Sequence, residues 1–172
     1  RASAATAFAM ATIAAIATPL GEGGLAVIRL SGHDALDVAE KIFVPIGPSA
    51  MSPTAASSHT LHYGKIVENN RDLDEVLLAV LKAPRTFTRE DTVEITCHGG
   101  LLASQSILRA LLAAGARSAE PGEFTRRAFL NGRIDLAQAE AVADVIHART
   151  DLALAAANEQ LAGKLSQRIN RL

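Results

Sequence analysis

The 172-residue sequence has a single cysteine, no tryptophan and few other aromatic residues. One cysteine cannot form an internal disulfide, which excludes a secreted disulfide scaffold and fits a reducing compartment. Aromatic residues make up 3% of the chain and hydrophobic residues 49%. We therefore predict a core of aliphatic side chains and alanine.

Neither sign of charge is in excess, since the net charge is -1. This balance argues against a protein that binds nucleic acid through bulk positive charge. No apolar run reaches the roughly 18 residues of a membrane-spanning helix, so no membrane partner is expected. No GxxxxGK[ST] phosphate loop occurs, and the glycine-rich stretch GEGG precedes a strand instead of opening a helix, so it lacks the context of a dinucleotide fingerprint.

Hydrophobic patterns in the first 120 residues predict a domain of mixed strands and helices. Residues 45–58 are rich in proline and serine and predict a surface loop. Gly115 is expected to end the helix that follows the last of these strands. The predicted strands are 12–17, 25–32, 59–67, 74–83 and 92–100, and the predicted helices are 31–43 and 101–114.

A change in composition after residue 120 sets the predicted domain organisation. Residues 1–11 contain one arginine, no acid and much alanine, and we interpret them as a leader, either a tag or the remnant of a transit peptide. Residues 12–120 form the first domain. Residues 121–172 are almost all helix formers and form the start of a helical domain.

Two helices are predicted in that second region. Asp135 with Gln138 three residues later resembles a capping box that opens the first of them. The second is expected from about Asp151 to the end of the sequence, where no capping signal occurs. We therefore expect the chain to stop inside a helix.

The stretch EITCHGG (Glu94–Gly100) contains the cysteine with a histidine next to it, which raises the question of a catalytic dyad. Successive side chains of a strand point to opposite faces. Cys97 and His98 therefore diverge and cannot form a nucleophile–base pair. Cys97 shares its face with the apolar Ile95, and we interpret it as a small core residue.

Arg29 and Glu94 are the two charges whose positions are unusual. Arg29 lies between Ile28 and Leu30 in a predicted strand, where a permanent charge needs an anion or the solvent. An arginine that reaches solvent from an edge strand is the alternative. Glu94 lies on a strand that enters a Gly–Gly turn, and it is either a ligand anchor or a solvated carboxylate.

Arg126, Arg127 and Arg133 cluster around a predicted helix break at Asn131–Gly132. Solvated charges on a helix surface are one interpretation. The other is that a guanidinium beside the break binds a ligand carboxylate, for which arginine has paired donors. A glutamate elsewhere on the fold would accept hydrogen bonds from an amino-heterocycle. The residues thus allow a polar binding site but specify no reaction.

A metal site is not predicted. Glu140, Asp144 and His147 fall on one face of a predicted helix, but two carboxylates and one histidine without a fourth ligand are more typical of a solvated face.

Three motifs together resemble one protein family. They are TIAAIATPLGEGGLAVIRLSG, FTREDTVEITCHGG and EPGEFTRRAFLNGRIDLAQAEAVADVI. In this order and spacing they are similar to the N-terminal portion of the tRNA modification GTPase MnmE, also called TrmE. The resemblance runs from about Thr12 to the end, apart from the proline- and serine-rich loop.

This resemblance implies an α+β fold, with a tetrahydrofolate-binding domain like that of aminomethyltransferases followed by the first helices of an all-α domain. It implies a homodimer formed by the N-terminal domain, and 5-formyl- or 5,10-methylene-tetrahydrofolate bound at the dimer contact. The family works with the flavoprotein MnmG (GidA). Together they place an aminomethyl-type group on the wobble uridine of tRNA, with the folate as one-carbon donor. A bacterial cytoplasmic location is expected, or an organelle if residues 1–9 are a transit remnant.

The resemblance also assigns three folate-contacting residues, Arg29, Glu94 and Arg133. From donor and acceptor chemistry we expect Glu94 to bond the amino edge of the pterin. We expect the two arginines to meet carbonyl or glutamate-tail oxygens. No catalytic residue is assigned. One departure from the family is Arg89, which replaces the glycine of the usual FTGED and puts the shape of that turn in question.

The GTPase domain of the family is absent from this chain, so GTP, Mg²⁺ and K⁺ belong to segments outside it. A folate contact near the C-terminus of the family is also outside it. Two other functions stay open at this point. One is a stand-alone folate-dependent one-carbon transferase, in which only His98 or Glu94 would serve as acid or base. The other is a dimerisation module without a ligand.

Overall fold

The computed structural model of the protein describes residues 11–48 and 50–164. It divides into two compact units. Among the described residues, the first contains those from Ala11 to Thr86 together with Glu90–Glu120, and the second contains Phe87–Arg89 and Pro121–Lys164. The leader expected at residues 1–11, except Ala11, lies outside the described residues, as does the end of the final predicted helix.

The first unit is built on one seven-stranded sheet with the order β3-β4-β5-β6-β2-β1-β7. Neighbouring strands are antiparallel, except that β7 runs parallel to β1. The strands are β1 Ile13–Ile16, β2 Leu25–Ser31, β3 Phe43–Pro45, β4 Thr60–Glu68, β5 Arg71–Leu81, β6 Thr92–His98 and β7 Arg117–Ser118.

One face of this sheet carries the core. Alternate side chains of β2 and β6 are buried there, and they cluster with residues from two helices, α1 (Ala35–Glu40) and α2 (Leu101–Ala113). Among the buried residues of this cluster Phe43 is the one aromatic, so the prediction of an aliphatic core is confirmed. Gly115 follows the C-cap of α2 with φ +122°, as expected for the residue after a helix end.

Two strands were not predicted. β3 ends at Pro45, inside the segment that the composition assigned to a loop, and β7 has only two residues. Both are outermost in the sheet. Proline lacks a backbone donor and is tolerated at such an edge.

The second unit contains three helices in its described part, α3 Glu123–Leu130, α4 Leu136–His147 and α5 Asp151–Leu161. The capping box is confirmed, because Asp135 Oδ1 accepts from Gln138 N at 2.8 Å and Gln138 Oε1 accepts from Asp135 N at 2.9 Å. Two side-chain amides join α4 to α5. Gln138 Nε2 donates to Leu161 O, and Gln160 Nε2 donates to Ala137 O.

The sheet and helices together confirm the α+β class. Within the described ranges, each helix is too short or too polar to cross a bilayer.

Candidate functional site on the open face of the sheet

The face of the sheet opposite to α1 and α2 carries the candidate site, and we call it the open face. The cross-strand register arranges its side chains in rows. In one row Leu61, Ala79, Glu94, Arg29 and Ala15 lie side by side across five strands. The neighbouring row consists of Tyr63, Leu77, Thr96 and Val27. Charged, polar and apolar side chains therefore share one surface.

Arg29 and Glu94 are direct cross-strand partners at the centre of the first row. Arg29 Nε donates to Glu94 Oε1 at 2.8 Å, and Nη2 lies 2.7 Å from the same oxygen. The two side chains are 32% and 31% exposed. β2 lies between β6 and β1, so an arginine reaching out from an edge strand, the alternative drawn from the sequence, is wrong.

This geometry leaves one oxygen of the carboxylate available. Both contacts from Arg29 go to Oε1, and Oε2 of Glu94 makes no hydrogen bond with the part of the chain that the structure describes. An ionised carboxylate accepts on both oxygens. Glu94 can therefore accept a hydrogen bond from a ligand while Arg29 holds it in a fixed orientation.

The structure confirms that Cys97 and His98 do not form a dyad. Cys97 is 1% exposed within the core cluster, whereas His98 projects to the other face and its side chain is 72% exposed. Burial, with a smaller contribution from the charge of Asp74, raises the pKa of the Cys97 thiol to about 11. The thiol is therefore a core residue and not a nucleophile.

His98 instead pairs with a residue that the sequence analysis did not single out. Its ring Nδ1 lies 2.6 Å from Asp74 Oδ1, and its backbone N–H donates to Asp74 Oδ2 at 2.8 Å. The Asp74 side chain is only 11% exposed. Asp74 is in phase with the buried Val76 and Leu78 of β5 and lies opposite the buried Ile66, so alternation along the strand could have identified it as a largely buried acid.

The predicted arginines of the second unit have different environments. Arg133 is exposed just after the end of α3, and its backbone N–H donates to Ala128 O at 2.8 Å. Arg127 is 4% exposed and lies 3.1 Å from Glu123 Oε1, and Glu123 is 2% exposed. The interpretation of Arg127 as a solvated surface charge is therefore wrong. Nothing in the chain's local pattern distinguishes it from the exposed Arg126.

The turn that contains Arg89 keeps a left-handed residue where the family usually has glycine. Arg89 has φ +60°, a conformation that costs little only for glycine. Its Nη1 donates to Asn131 O at 3.1 Å, and Asn131 Nδ2 donates to Thr88 O at 2.7 Å. Two reciprocal hydrogen bonds therefore hold this turn against the end of α3.

The three α4 residues weighed as metal ligands do not form such a site. Glu140, Asp144 and His147 lie on α4. Within residues 11–48 and 50–164, no group of three or more histidine, cysteine or acidic side chains is arranged to hold a metal ion.

Comparison with known proteins places these residues in a family. The sequence model of the family described as "GTP-binding protein TrmE N-terminus" matches residues 12–133. The chain is 55% identical over 165 residues to the tRNA modification GTPase MnmE of Bacillus subtilis, which covers 95% of this chain and 36% of that protein. It is 56% identical over 161 residues to the protein of the same name from Lactococcus lactis, which covers 94% of this chain and 34% of that protein. The chain thus spans about a third of the length of the curated relatives it matches, and the resemblance drawn from the three motifs is confirmed.

Proposed function

The chain belongs to the TrmE N-terminal family, and from this membership we propose that it is the reduced-folate-binding and dimerisation part of a tRNA-modifying GTPase. The observation that carries the folate proposal is the Arg29–Glu94 pair. Its position at the centre of the open face, with one carboxylate oxygen oriented and still able to accept, is the arrangement that an amino-heterocycle needs.

The proposed ligand is 5-formyl- or 5,10-methylene-tetrahydrofolate, whose donors and acceptors match these side chains. Its aminopyrimidinone edge presents N–H donors, for which Glu94 Oε2 is the acceptor. Its glutamate tail carries carboxylates, for which guanidinium groups are the preferred partners. Arg29, which contacts Glu94, is expected to meet the carbonyl oxygen of the heterocycle, and the exposed Arg133 is expected to supply a guanidinium group for the tail. Bound folate would bring the one-carbon unit, and the residues of this chain would bind and orient it.

For the full-length protein we propose the activity that its relatives' name describes, tRNA modification coupled to GTP hydrolysis. In this proposal the modified base is the wobble uridine and the second enzyme is the flavoprotein MnmG (GidA). GTP, Mg²⁺ and K⁺ act in segments beyond this chain, and the protein works in the bacterial cytoplasm. The relatives named tRNA modification GTPase MnmE, about 55% identical to this chain, support the tRNA modification and GTPase parts of this proposal.

We also propose that the open face forms the homodimer contact. Leu61, Tyr63 and Leu77 are cross-strand neighbours or adjacent on this face, and they are 69%, 47% and 45% exposed. Lys65 and Glu75 are opposite each other in the next row, so both signs of charge border the apolar side chains. A surface with this mixture is complementary to a second copy of itself related by a two-fold axis.

Calorimetric titration with 5-formyltetrahydrofolate tests the folate proposal. The parent chain is expected to bind, and Arg29→Ala and Glu94→Gln are each expected to weaken binding at least about tenfold, since each removes a charge-assisted contact. The control variants Arg71→Ala and Glu68→Gln change the same residue types at the β4–β5 hairpin. They are expected to bind like the parent. Unchanged folate affinity in Glu94→Gln would contradict the role of Glu94. If the parent chain did not bind folate, a module that only dimerises would be favoured.

A further inference from the structure

We propose that His98 and Asp74 form a proton-accepting pair at one end of the folate site, an inference that rests on the proposed function. Asp74 makes three hydrogen bonds that fix its carboxylate. It accepts from the His98 backbone at Oδ2, and from the His98 ring and the Glu75 N–H at Oδ1. The carboxylate is mostly buried, whereas the imidazole that it contacts is 72% exposed. A nearly buried acceptor thus orients a ring that faces solvent.

The contact also sets the tautomer of the ring. An ionised carboxylate only accepts, so the 2.6 Å contact assigns the hydrogen to Nδ1 of His98. The lone pair is then on Nε2 of a ring whose side chain is 72% exposed. An oriented imidazole with a carboxylate behind it is the arrangement of a general base.

His98 lies on the same strand as Glu94 and on the same side of it. Both residues are on the open-face side of β6 with Thr96 between them, and four strand residues separate them by about 13 Å. Reduced folate is an elongated molecule. In 5-formyltetrahydrofolate the formyl group is on N5, which belongs to the reduced ring that is fused to the aminopyrimidinone. A folate bound at Glu94 and extended along β6 would place N5 on the His98 side of Glu94, towards Thr96.

The chemistry proposed for His98 is proton transfer during one-carbon transfer. With 5-formyltetrahydrofolate as the donor, an incoming amine forms a bond to the formyl carbon with its own electron pair and gives up a proton to Nε2. The bond from that carbon to the folate nitrogen breaks, and its electron pair stays on the nitrogen. This nitrogen then takes the proton from the imidazolium, so protons and electrons balance without an oxidant.

A purely structural role for the pair makes different predictions. Asp74 joins β5 to the end of β6 through the His98 backbone N–H, and this contact would persist with any residue other than proline at position 98. The exposed ring adds little buried area. If the pair only held the turn at Gly99, replacing the ring would leave catalysis intact, while replacing Asp74 would destabilise the fold.

The test compares His98→Gln, Asp74→Asn and the control His33→Gln, which changes an exposed histidine before α1, in the full-length protein. Folate binding is measured by calorimetry, and one-carbon transfer to tRNA with the flavoprotein partner is measured in single turnovers. His98→Gln is expected to bind folate within about threefold of the parent but to transfer at least about 100-fold more slowly. Added imidazole is expected to restore part of the rate in His98→Ala. Nitrogen-15 spectra of the ring are expected to show the Nδ1–H tautomer in the parent and a mixture in Asp74→Asn.

A transfer rate in His98→Gln within threefold of the parent, or a loss that imidazole does not restore in His98→Ala, overturns the proposal. Failure of the folate proposal is distinguishable because it appears in the parent titration, before any rate is measured. In that case the proposal that His98 acts as a general base is also contradicted. If His98→Gln binds folate and transfers the one-carbon unit at the rate of the parent, only the role of His98 is contradicted.

Discussion

Gly99 packs directly against the backbone of Gly23, and a Cβ at position 99 would lie 2.3 Å from Gly23 O. Two backbone hydrogen bonds join the same segments, from Gly23 N to Gly99 O at 3.3 Å and from Gly99 N to Gly24 O at 3.2 Å. The loop between β1 and β2 is therefore fixed to the turn that follows His98. Since β2 and β6 also carry Arg29 and Glu94, this contact supports the strands of the candidate site.

Gly99→Ala is therefore expected to destabilise the fold by about 3 kcal/mol, because the clash is with backbone that cannot rotate away. The neighbouring Gly100 offers a matched control. It has φ -77° and no atom within 4 Å of an added Cβ, so Gly100→Ala is expected to cost less than about 1 kcal/mol. Urea unfolding of both variants measures the difference. Equal free energies of unfolding would contradict the close packing at Gly99.

Arg89 makes a second prediction about backbone geometry. Its φ of +60° costs a residue other than glycine about 1–2 kcal/mol, whereas its side-chain bond to Asn131 O returns about 1 kcal/mol. Arg89→Gly loses the hydrogen bond to Asn131 O but removes the conformational cost of the positive φ, so its free energy of unfolding is expected to stay within about 1 kcal/mol of that of the parent. Arg89→Ala loses the bond and keeps the backbone cost, so it is expected to be the less stable variant by about 1 kcal/mol.

Urea unfolding of the two Arg89 variants decides this point. Greater stability in the alanine variant would mean that the turn does not hold its left-handed residue. Asn131→Ala is the companion variant. It removes the hydrogen bond to the carbonyl of Thr88, a residue that is 1% exposed, and is expected to cost about 1–2 kcal/mol.

The alternation of apolar residues was sufficient to predict the strands that form the centre of the sheet. In β6 it also predicted that Cys97 is buried and that Glu94 and His98 share the other face. The pairing of Arg29 with Glu94 was not predictable in this way. It depends on the register between strands whose paired residues are 65 positions apart in the chain, and such register is set by tertiary contacts.

Other features of the structure could not be predicted from short stretches of the sequence. β7 is two residues long and exists because β1 offers it a free edge. Arg127 and Arg126 are neighbours in sequence, yet one is buried and the other is not. Burial of a charge requires knowledge of the residues that pack on it from elsewhere in the chain.

The raised pKa of Cys97 predicts a loss of stability at alkaline pH. The unfolded thiol ionises near pH 8.5, but the folded thiol does so only at about 11. The unfolded state therefore binds fewer protons between these values. The contribution of Cys97 is complete below about pH 8.5 and is lost as the pH rises through about 11, at a slope of at most about 1.4 kcal/mol per unit.

Comparison with Cys97→Ala isolates this effect. The hydrogen bond to Glu75 raises the pKa of Tyr63, and that to Asp72 raises the pKa of Lys65, so the parent curve alone contains several titrations. The free energies of unfolding of parent and variant are expected to converge between about pH 8.5 and 11. A constant difference over this window would mean that the thiol ionises equally in both states.

The proposed homodimer contact makes the last prediction. Leu61 is 69% exposed on the open face, and Leu102 is 73% exposed on α2, which packs on the other face of the sheet. A glutamate at either position adds one charge to an exposed site and is expected to change monomer stability little.

Leu61→Glu would bring two like charges into an apolar contact related by a two-fold axis, so it is expected to weaken dimerisation at least about tenfold. Leu102→Glu is expected to leave the dimer intact. Sedimentation equilibrium of the parent and both variants measures this. A monomeric parent, or dissociation by Leu102→Glu alone, would exclude the open face as the contact.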